Sequence, residues 1–470
     1  MIEPSWIEGA LRGAGELRAA RLGARPIAGA RQDSRRLASG ELFVALPGAQ
    51  TDGHAFAAAA LAAGAGGALL ADAERYAGLA ADPAHAATSL FLVQDALGAL
   101  QALASAWLAR LAPFVVGVTG SNGKTAAKDC CAALLATLGP TRASEGNLNN
   151  QIGLPCTVLA TPPGTRYLVL EMGCSSFGEI ARLAALFPPQ AGVITNIGAA
   201  HLEVLGDLEG VARAKGELAA ALPAGGLLLL DADGPFAARL AALTRARVLR
   251  WGRGPAADLR VEDLGPEGPG ARRLRLEGVA IRLPRPWPHS QLALAAAWLL
   301  ARQLGAEPAA LAAAAPAAFR ETNRGGSFRL GDWTLVDDSY NANPDSMRAA
   351  LAWLASAPAG GRRWAALGDM LELGAAGPAA HRALGAEAAA RGGLAGLLAC
   401  GPLCAELVAA ARAGGLAAGH YPDPETLAAA LAPQLGAGDL ILVKGSRGMA
   451  MERVIAALEQ AAGQAREVRT

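Results

Sequence analysis

The sequence predicts an α/β protein of about three domains, and three observations predict it. At 470 residues the chain is too long for a single hydrophobic core. Short apolar runs ending in polar residues alternate with alanine-rich stretches through its middle and last thirds, the pattern of mainly parallel sheets covered by helices. Between the apolar run Phe114-Val115-Val116 and the helix-favouring stretch 126–138 lies a glycine-rich turn ending in Gly123-Lys124-Thr125. Strand, glycine-rich turn and helix in that order make a phosphate-binding loop.

The first segment, 1–113, mixes short strands and helices. Its informative stretch is Asp33-Ser34-Arg35, then an apolar strand around Phe43, then Asp52-Gly53-His54. Ser34 and Arg35 could meet a diphosphate or a base edge; the residues alone favour solvated turn positions. Residues 55–71 are apolar, but Gly64, Gly66 and Gly67 make them a helix running into a strand rather than a membrane span. Residues 95–111 read as a helix leading to the loop strand.

In the central segment, 114–320, the glycines at 120 and 123, with Ser121 and Asn122, turn backbone N–H groups inward around an anion, and the helix N-terminus adds partial positive charge. Lys124 then reaches the β/γ-phosphates and Thr125 holds magnesium. The generic loop has glycine where Val118 stands, so this is a variant with its glycine at Gly120. The strand 167–170 ends in Glu171, a carboxylate at the sheet edge where a magnesium ligand is expected. The strand 191–196 is followed by His201, and Lys215, on the next helix, reads by itself as a surface lysine. A further buried strand is expected at 227–230, and 253–288, rich in Gly, Pro and Arg, reads as hairpins and loops.

The third segment, 321–470, opens with Arg324 and the strand 333–338. Tyr340, Asn341 and Asn343 follow it in a polar run that costs stability unless it binds something. Strands at 364–367 and 440–443 end in Gly368-Asp369-Met370 and Lys444-Gly445-Ser446-Arg447, which places charge at one sheet edge.

Composition narrows the partners. A net charge of +1 carries no footprint for nucleic acid or an anionic membrane. The six cysteines form no paired framework, and Cys400 and Cys404 lack the second half of a metal site. Residues 1–6 lack a basic region followed by an apolar core, so no signal peptide and a cytoplasmic location are expected.

Together these stretches resemble the Mur ligases over nearly the whole chain, from Asp33 to Arg453. The resemblance rests on 119–125 (TGSNGKT), 146–155 (GNLNNQIGLP), 171–173 (EMG), 195–201 (TNIGAAH), 337–346 (DDSYNANPDS), 367–374 (LGDMLELG) and 444–447 (KGSR). It implies a UDP-sugar-binding domain, a central P-loop ATPase domain and a C-terminal Rossmann-like ligase domain. It also implies a reaction: ATP-dependent addition of D-alanyl-D-alanine to UDP-N-acetylmuramoyl-tripeptide, through an acyl phosphate, in peptidoglycan precursor synthesis. A monomer using ATP and two magnesium ions is expected. By that resemblance Thr125 and Glu171 hold one ion, and His201 with a carbamylated Lys215 the second. Arg324, Asp338 and Asn341 contact the nucleotide. Ser34, Arg35, Asn147, Asn149 and Asn150 face the UDP-substrate, while Tyr340, Asn343, Lys444, Ser446 and Arg447 complete the acceptor side.

The chain departs from the family pattern at three places. Ala126 and Ala127 replace two threonines, and Asn323 stands where a glycine precedes Arg324. His289-Ser290-Gln291-Leu292-Ala293 replaces His-Asn-x-x-Asn at the adenine end. Two other readings are a related ligase with another acceptor, such as a folylpolyglutamate synthase, and a degenerate nucleotide-binding relative. The Tyr340–Asn343 run argues against the first, and the retained Lys124, Glu171, His201 and Lys215 argue against the second.

Overall fold

A computed structural model describes residues 1–48, 51–268, 270–285, 287–319, 325–463 and 467–468. Arg324 and Asn323 lie outside the described residues. The chain builds three main sheets, each with helices packed on it, in the order the sequence predicts.

The first sheet has five strands in the order Leu17–Arg21, Ser89–Val93, Gly67–Leu70, Leu42–Val44, Ala30–Arg31, parallel except for the first. Its inner strands are buried on both faces, as continuous apolar runs in a covered parallel sheet must be. The helix Ala96–Leu111 follows. Asp95 caps it by accepting from the N–H groups of Leu97 and Gly98, and Ala112 ends it in the left-handed region at φ 48°.

The central sheet has seven strands, all parallel, and the loop strand Phe114–Thr119 lies between Ala191–Ile194 and Tyr167–Glu171. That neighbourhood puts Glu171 on one side of the phosphate loop and Asn196 on the other. The following helix runs Lys124–Leu135, starting at once from the left-handed Gly123. The stretch expected as hairpins and loops contains a three-stranded antiparallel meander, Glu262–Pro266, Arg272–Leu276 and Val279–Leu283. Leu274, Leu276, Ile281 and Leu283 pack into the core beneath the helix Pro288–Gln303.

The third sheet also has seven strands, centred on Leu440–Lys444 between Arg363–Gly368 and Trp333–Asp338. Its two faces bury separate apolar clusters, one around Val336, Leu367 and Leu442 and one around Ile441, Val443 and Val454.

The first two units do not have separate cores. Leu100, Leu103 and Trp107 of the connecting helix share one cluster with Val115, Leu154, Leu168 and Leu170 of the central unit. The Trp107 indole N–H also donates to the Thr161 carbonyl at 3.0 Å.

Candidate active site

The C-terminal edges of the central and third sheets face one another across a cleft of about 1060 Å³. Its floor is the phosphate loop. Gly120 adopts φ 142°, and a Cβ there would collide with the Thr195 hydroxyl, so only glycine fits. That hydroxyl donates to the Asn122 carbonyl at 2.6 Å, while Asn196 Oδ1 accepts from the Asn122 N–H at 2.9 Å. Ser121 Oγ donates to the Gly198 carbonyl at 2.9 Å. The loop is held open by its neighbours. Lys124 folds back, donating to the carbonyls of Gly120 at 2.8 Å and Ser121 at 3.1 Å.

Glu171 is buried, with Oε2 accepting from Thr125 Oγ1 at 2.8 Å and Oε1 from Asn149 Nδ2 at 2.9 Å. Asn149 therefore serves the carboxylate, and Asn150 Oδ1 accepts from the N–H groups of Ile152 and Gly153 to shape the same loop. Asn147 and Asn150 line both this cleft and a smaller cavity of about 220 Å³ beside the first sheet. The cations of that cavity are Arg31 and Arg36. Ser34 and Arg35 line neither space: Arg35 pairs with Asp33 in two hydrogen bonds of 2.9 Å and is exposed. Nothing in a run of three arginines among polar residues told which would face inward.

His201 opens a short helix at φ 52°, and its Nδ1 lies 3.1 Å from Glu372 Oε2 of the third unit. Glu372 is also left-handed, at φ 64°. Two such non-glycine residues in contact mark stored strain of ~1–3 kcal/mol each. Burial pushes the His201 pKa down, and although Glu372 pulls it up, Lys215 and Lys124 help keep it below the usual value. Glu372 was missed as a site residue; its only signal was its place in the 367–374 motif.

Lys215 does not line the cleft and is not a surface residue: it is 1% exposed, and its Nζ donates to Cys174 Sγ at 3.0 Å. Helical context alone reports no burial, which is why the residues by themselves read it as a surface lysine.

The third unit supplies the opposite wall. Asn343 caps the helix Pro344–Ser356 in a reciprocal pair with Ser346, and its Nδ2 donates to Asn122 Oδ1 at 2.5 Å. Asn343 thus ties this helix N-terminus to the phosphate loop. Lys444 Nζ donates to Asp338 Oδ2 at 2.7 Å and to the Asn341 carbonyl at 2.8 Å. Asp338, Tyr340, Asn341 and Lys444 all line the cleft. Ser446 and Arg447 do not. Ser446 Oγ accepts from the Leu371 N–H and donates to the Ala342 carbonyl, joining two loops, and Arg447 pairs with Glu452 in solvent.

At the far end His289 stacks on Trp287, and Ser290, Ala318 and Phe319 line the cleft. Ala293 is absent from the lining and lies in the apolar core. Gln291 is fully buried; it donates to Asp263 Oδ1 at 2.9 Å and the Arg273 carbonyl at 3.2 Å, so the meander fixes this wall. Ala126 lines the cleft and Ala127 is core, which divides the two lost threonines between different roles. Among the described residues Asp369, His381 and Cys404 also converge. Their hydrogen bonds are already used: Asp369 accepts from the N–H groups of Leu403 and Cys404, and both His381 nitrogens have backbone partners.

A polyphosphate seat, a buried carboxylate beside it and a second sheet closing from above form one continuous site. The chain matches three family descriptions in order: Mur ligase family, catalytic domain, over residues 26–107; Mur ligase middle domain over 118–273; and Mur ligase, glutamate ligase domain, over 324–447. It is 36% identical to the UDP-N-acetylmuramoyl-tripeptide–D-alanyl-D-alanine ligase of Escherichia coli K12, over 91% of this chain and 93% of that one. The protein of the same name from Mycobacterium tuberculosis H37Rv is 40% identical over 75% of this chain and 74% of its own length. Among solved structures, MurF from Acinetobacter baumannii superposes with a TM-score of 0.83 at 26% identity, covering 98% of this chain and 99% of that one. MurF ligase from Thermotoga maritima in complex with ADP gives 0.77 at 27% identity, covering 93% and 98%. With that identity extending through all three units, the chain belongs to the Mur ligase family.

Proposed function

We propose that this protein is the ATP-dependent ligase that adds D-alanyl-D-alanine to UDP-N-acetylmuramoyl-tripeptide, making the precursor for peptidoglycan. Segments 1–113, 114–320 and 321–470 would serve the UDP end, ATP, and the incoming dipeptide respectively. The observation that carries this is the convergence of Lys124, Glu171 and the Asn343-capped helix on one cleft. The names and near-complete coverage of the relatives add the acceptor.

ATP phosphates would lie on the inward N–H groups of the loop and the N-terminus of Lys124–Leu135. Lys124 would leave the Gly120 and Ser121 carbonyls for the β/γ-phosphates. The tripeptide carboxylate attacks the γ-phosphorus and ADP departs, leaving an acyl phosphate. The dipeptide amine then attacks that carbonyl carbon, loses a proton, and inorganic phosphate is expelled. Asp338 and Asn341 orient the nucleotide, and Tyr340 and Lys444, the latter paired with Asp338, line the acceptor approach.

The donor set fits magnesium: Glu171 and Thr125 offer hard oxygens in a buried position. His201 and Lys215 fit a second ion only if the amine carries CO₂ as a carbamate, because a buried amine beside a thiol has no anionic oxygen to offer. Bound there, the ions would neutralise the two polyanions that must approach each other. A monomer is part of this proposal. Six unpaired cysteines accord with the cytoplasm, and no helix among the described residues is long and apolar enough to cross a membrane.

The test is ADP release in the presence of UDP-muramoyl-tripeptide, with and without D-alanyl-D-alanine. Release requiring both, with a UDP-pentapeptide product, is expected. Equal release with a single amino acid as acceptor overturns the assignment.

A further inference from the structure

All six cysteines are unpaired and buried, but they do not share one environment. Burial pushes the thiols of Cys131, Cys156 and Cys400 up to about 12, and those of Cys130 and Cys404 higher than usual as well. Such thiols are packing elements with little thiolate to oxidise. Cys174 is different in position. It lies in the wall of the active-site cleft, one residue past the Glu171-Met172-Gly173 turn, and keeps 7% of its surface exposed there. Its sulfur stands 3.0 Å from the Nζ of Lys215, a side chain 1% exposed.

This contact is unusual for both partners. A thiol is a weak acceptor, so the buried nitrogen gains little from it. Among the described residues no carboxylate pairs with Lys215. The buried Nζ is therefore held against the cleft-lining Cys174, whose loop packs on the apolar core behind the strand Tyr167–Glu171.

We propose that Cys174 and Lys215 form a reversible covalent redox lock, with a peroxide as the oxidant. The Cys174 thiol attacks one peroxide oxygen, the O–O bond breaks, and water leaves, giving a sulfenic acid. The Lys215 amine attacks that sulfur and the S–O bond breaks. A second water departs and an S–N bond joins the two side chains. Sulfur is oxidised by two electrons and peroxide is reduced to water; the protein loses two hydrogens. Two equivalents of a small thiol reverse the step, regenerating thiol and amine and forming the small disulfide. While the S–N bond stands, Nζ cannot take up CO₂, so ligation stops. That consequence rests on reading Lys215 as a carbamate; the cross-link itself does not.

The experiment treats the full chain with a small excess of hydrogen peroxide, quenches, and maps peptides by mass spectrometry. A peptide pair joining Cys174 to Lys215, ~2 Da lighter than the sum of its parts and separated by dithiothreitol, is the expected result. Cys174→Ser should abolish it, and Lys215→Arg should let Cys174 run on to sulfinic acid. The wild-type map decides without either variant. Cys174 accumulating as sulfinic acid beside a free Lys215, or remaining a thiol while methionines oxidise, overturns the lock. Bicarbonate separates the two ideas. Slower cross-linking in its presence supports both, whereas unchanged cross-linking supports the lock and counts against the carbamate.

Discussion

Replacing Lys444 by methionine isolates one buried charge in the third unit. Lys444 is 3% exposed at its side chain and Asp338 15%, with 2.7 Å between them. The same ammonium satisfies the Asn341 carbonyl. Methionine fills the volume but leaves a carboxylate and a carbonyl without their donor. Breaking a buried pair on one side costs ~3–5 kcal/mol. Asp338 faces the cleft, where water can replace part of the lost interaction, which reduces the expected cost to ~2–3 kcal/mol. That is a ~30- to 150-fold rise in local opening. Amide hydrogen exchange along Leu440–Lys444 and Trp333–Asp338 reads it, because these strands pair along their whole length. The double replacement Asp338→Asn with Lys444→Met should recover much of the loss. Exchange in Lys444→Met indistinguishable from wild type would refute the reasoning, since it would mean the pair is already solvated.

Lys124→Ala should abolish turnover with the melting temperature unchanged, since one charge at the transferring phosphate is worth ~3 kcal/mol or more; a variant keeping most of its kcat removes the loop from the mechanism. Burial would raise the Asp263 pKa, but hydrogen bonds from Arg272, Gln291 and the Gly265 N–H outweigh it and hold the pKa at about 2. Its folded value thus lies below the unfolded one, so its stabilisation is full above pH ~3.8 and is lost as pH falls towards about 2. Thermal melts of Asp263→Asn should accordingly fall less steeply across that window than those of wild type. Ser290→Asn should lower the KM for ATP, because Ser290 lines the cleft, whereas Ala293→Asn should lower the melting temperature by placing an amide in the core. Scattering with an ATP analogue and UDP-tripeptide should fit movement of the third unit alone, since the first two share a core; a changed distance between labels on the first and central units would refute it.

Much of the fold is legible because strands such as Tyr167–Glu171 and Leu440–Lys444 announce themselves twice, by an apolar run and by the polar residue that ends it. Glu171 is read that way, from the rule that parallel strands deliver ligands at their C-terminal ends, whereas Asp338 enters only through the family resemblance. Side-chain direction in turns is not legible by that means. Arg31, Arg35 and Arg36 carry the same charge within six positions, and only the backbone decides that Arg35 turns back to Asp33. Lys215 shows a second limit: an Ala-rich helix has weak amphipathic contrast, so its sequence does not tell which face is covered. Glu372 shows a third. Its partner His201 is 171 residues away, and only the assembled cleft relates them.

The continuous core joining the first unit to the central one has a consequence for what the protein can measure. Arg31 and Arg36 line one cavity and Lys124 the neighbouring cleft, the two spaces sharing Asn147 and Asn150, and one apolar cluster runs through both units. If the nucleotide end of the substrate docks at the former, the span to the γ-phosphate is a ruler of constant length. A peptide one residue shorter would leave its carboxylate stranded short of the phosphorus, however tightly its UDP end is held. Selection by reach would then need no contact with the missing residue at all, and the order in which residues are added to the precursor would be written into the stiffness of the core the two units share.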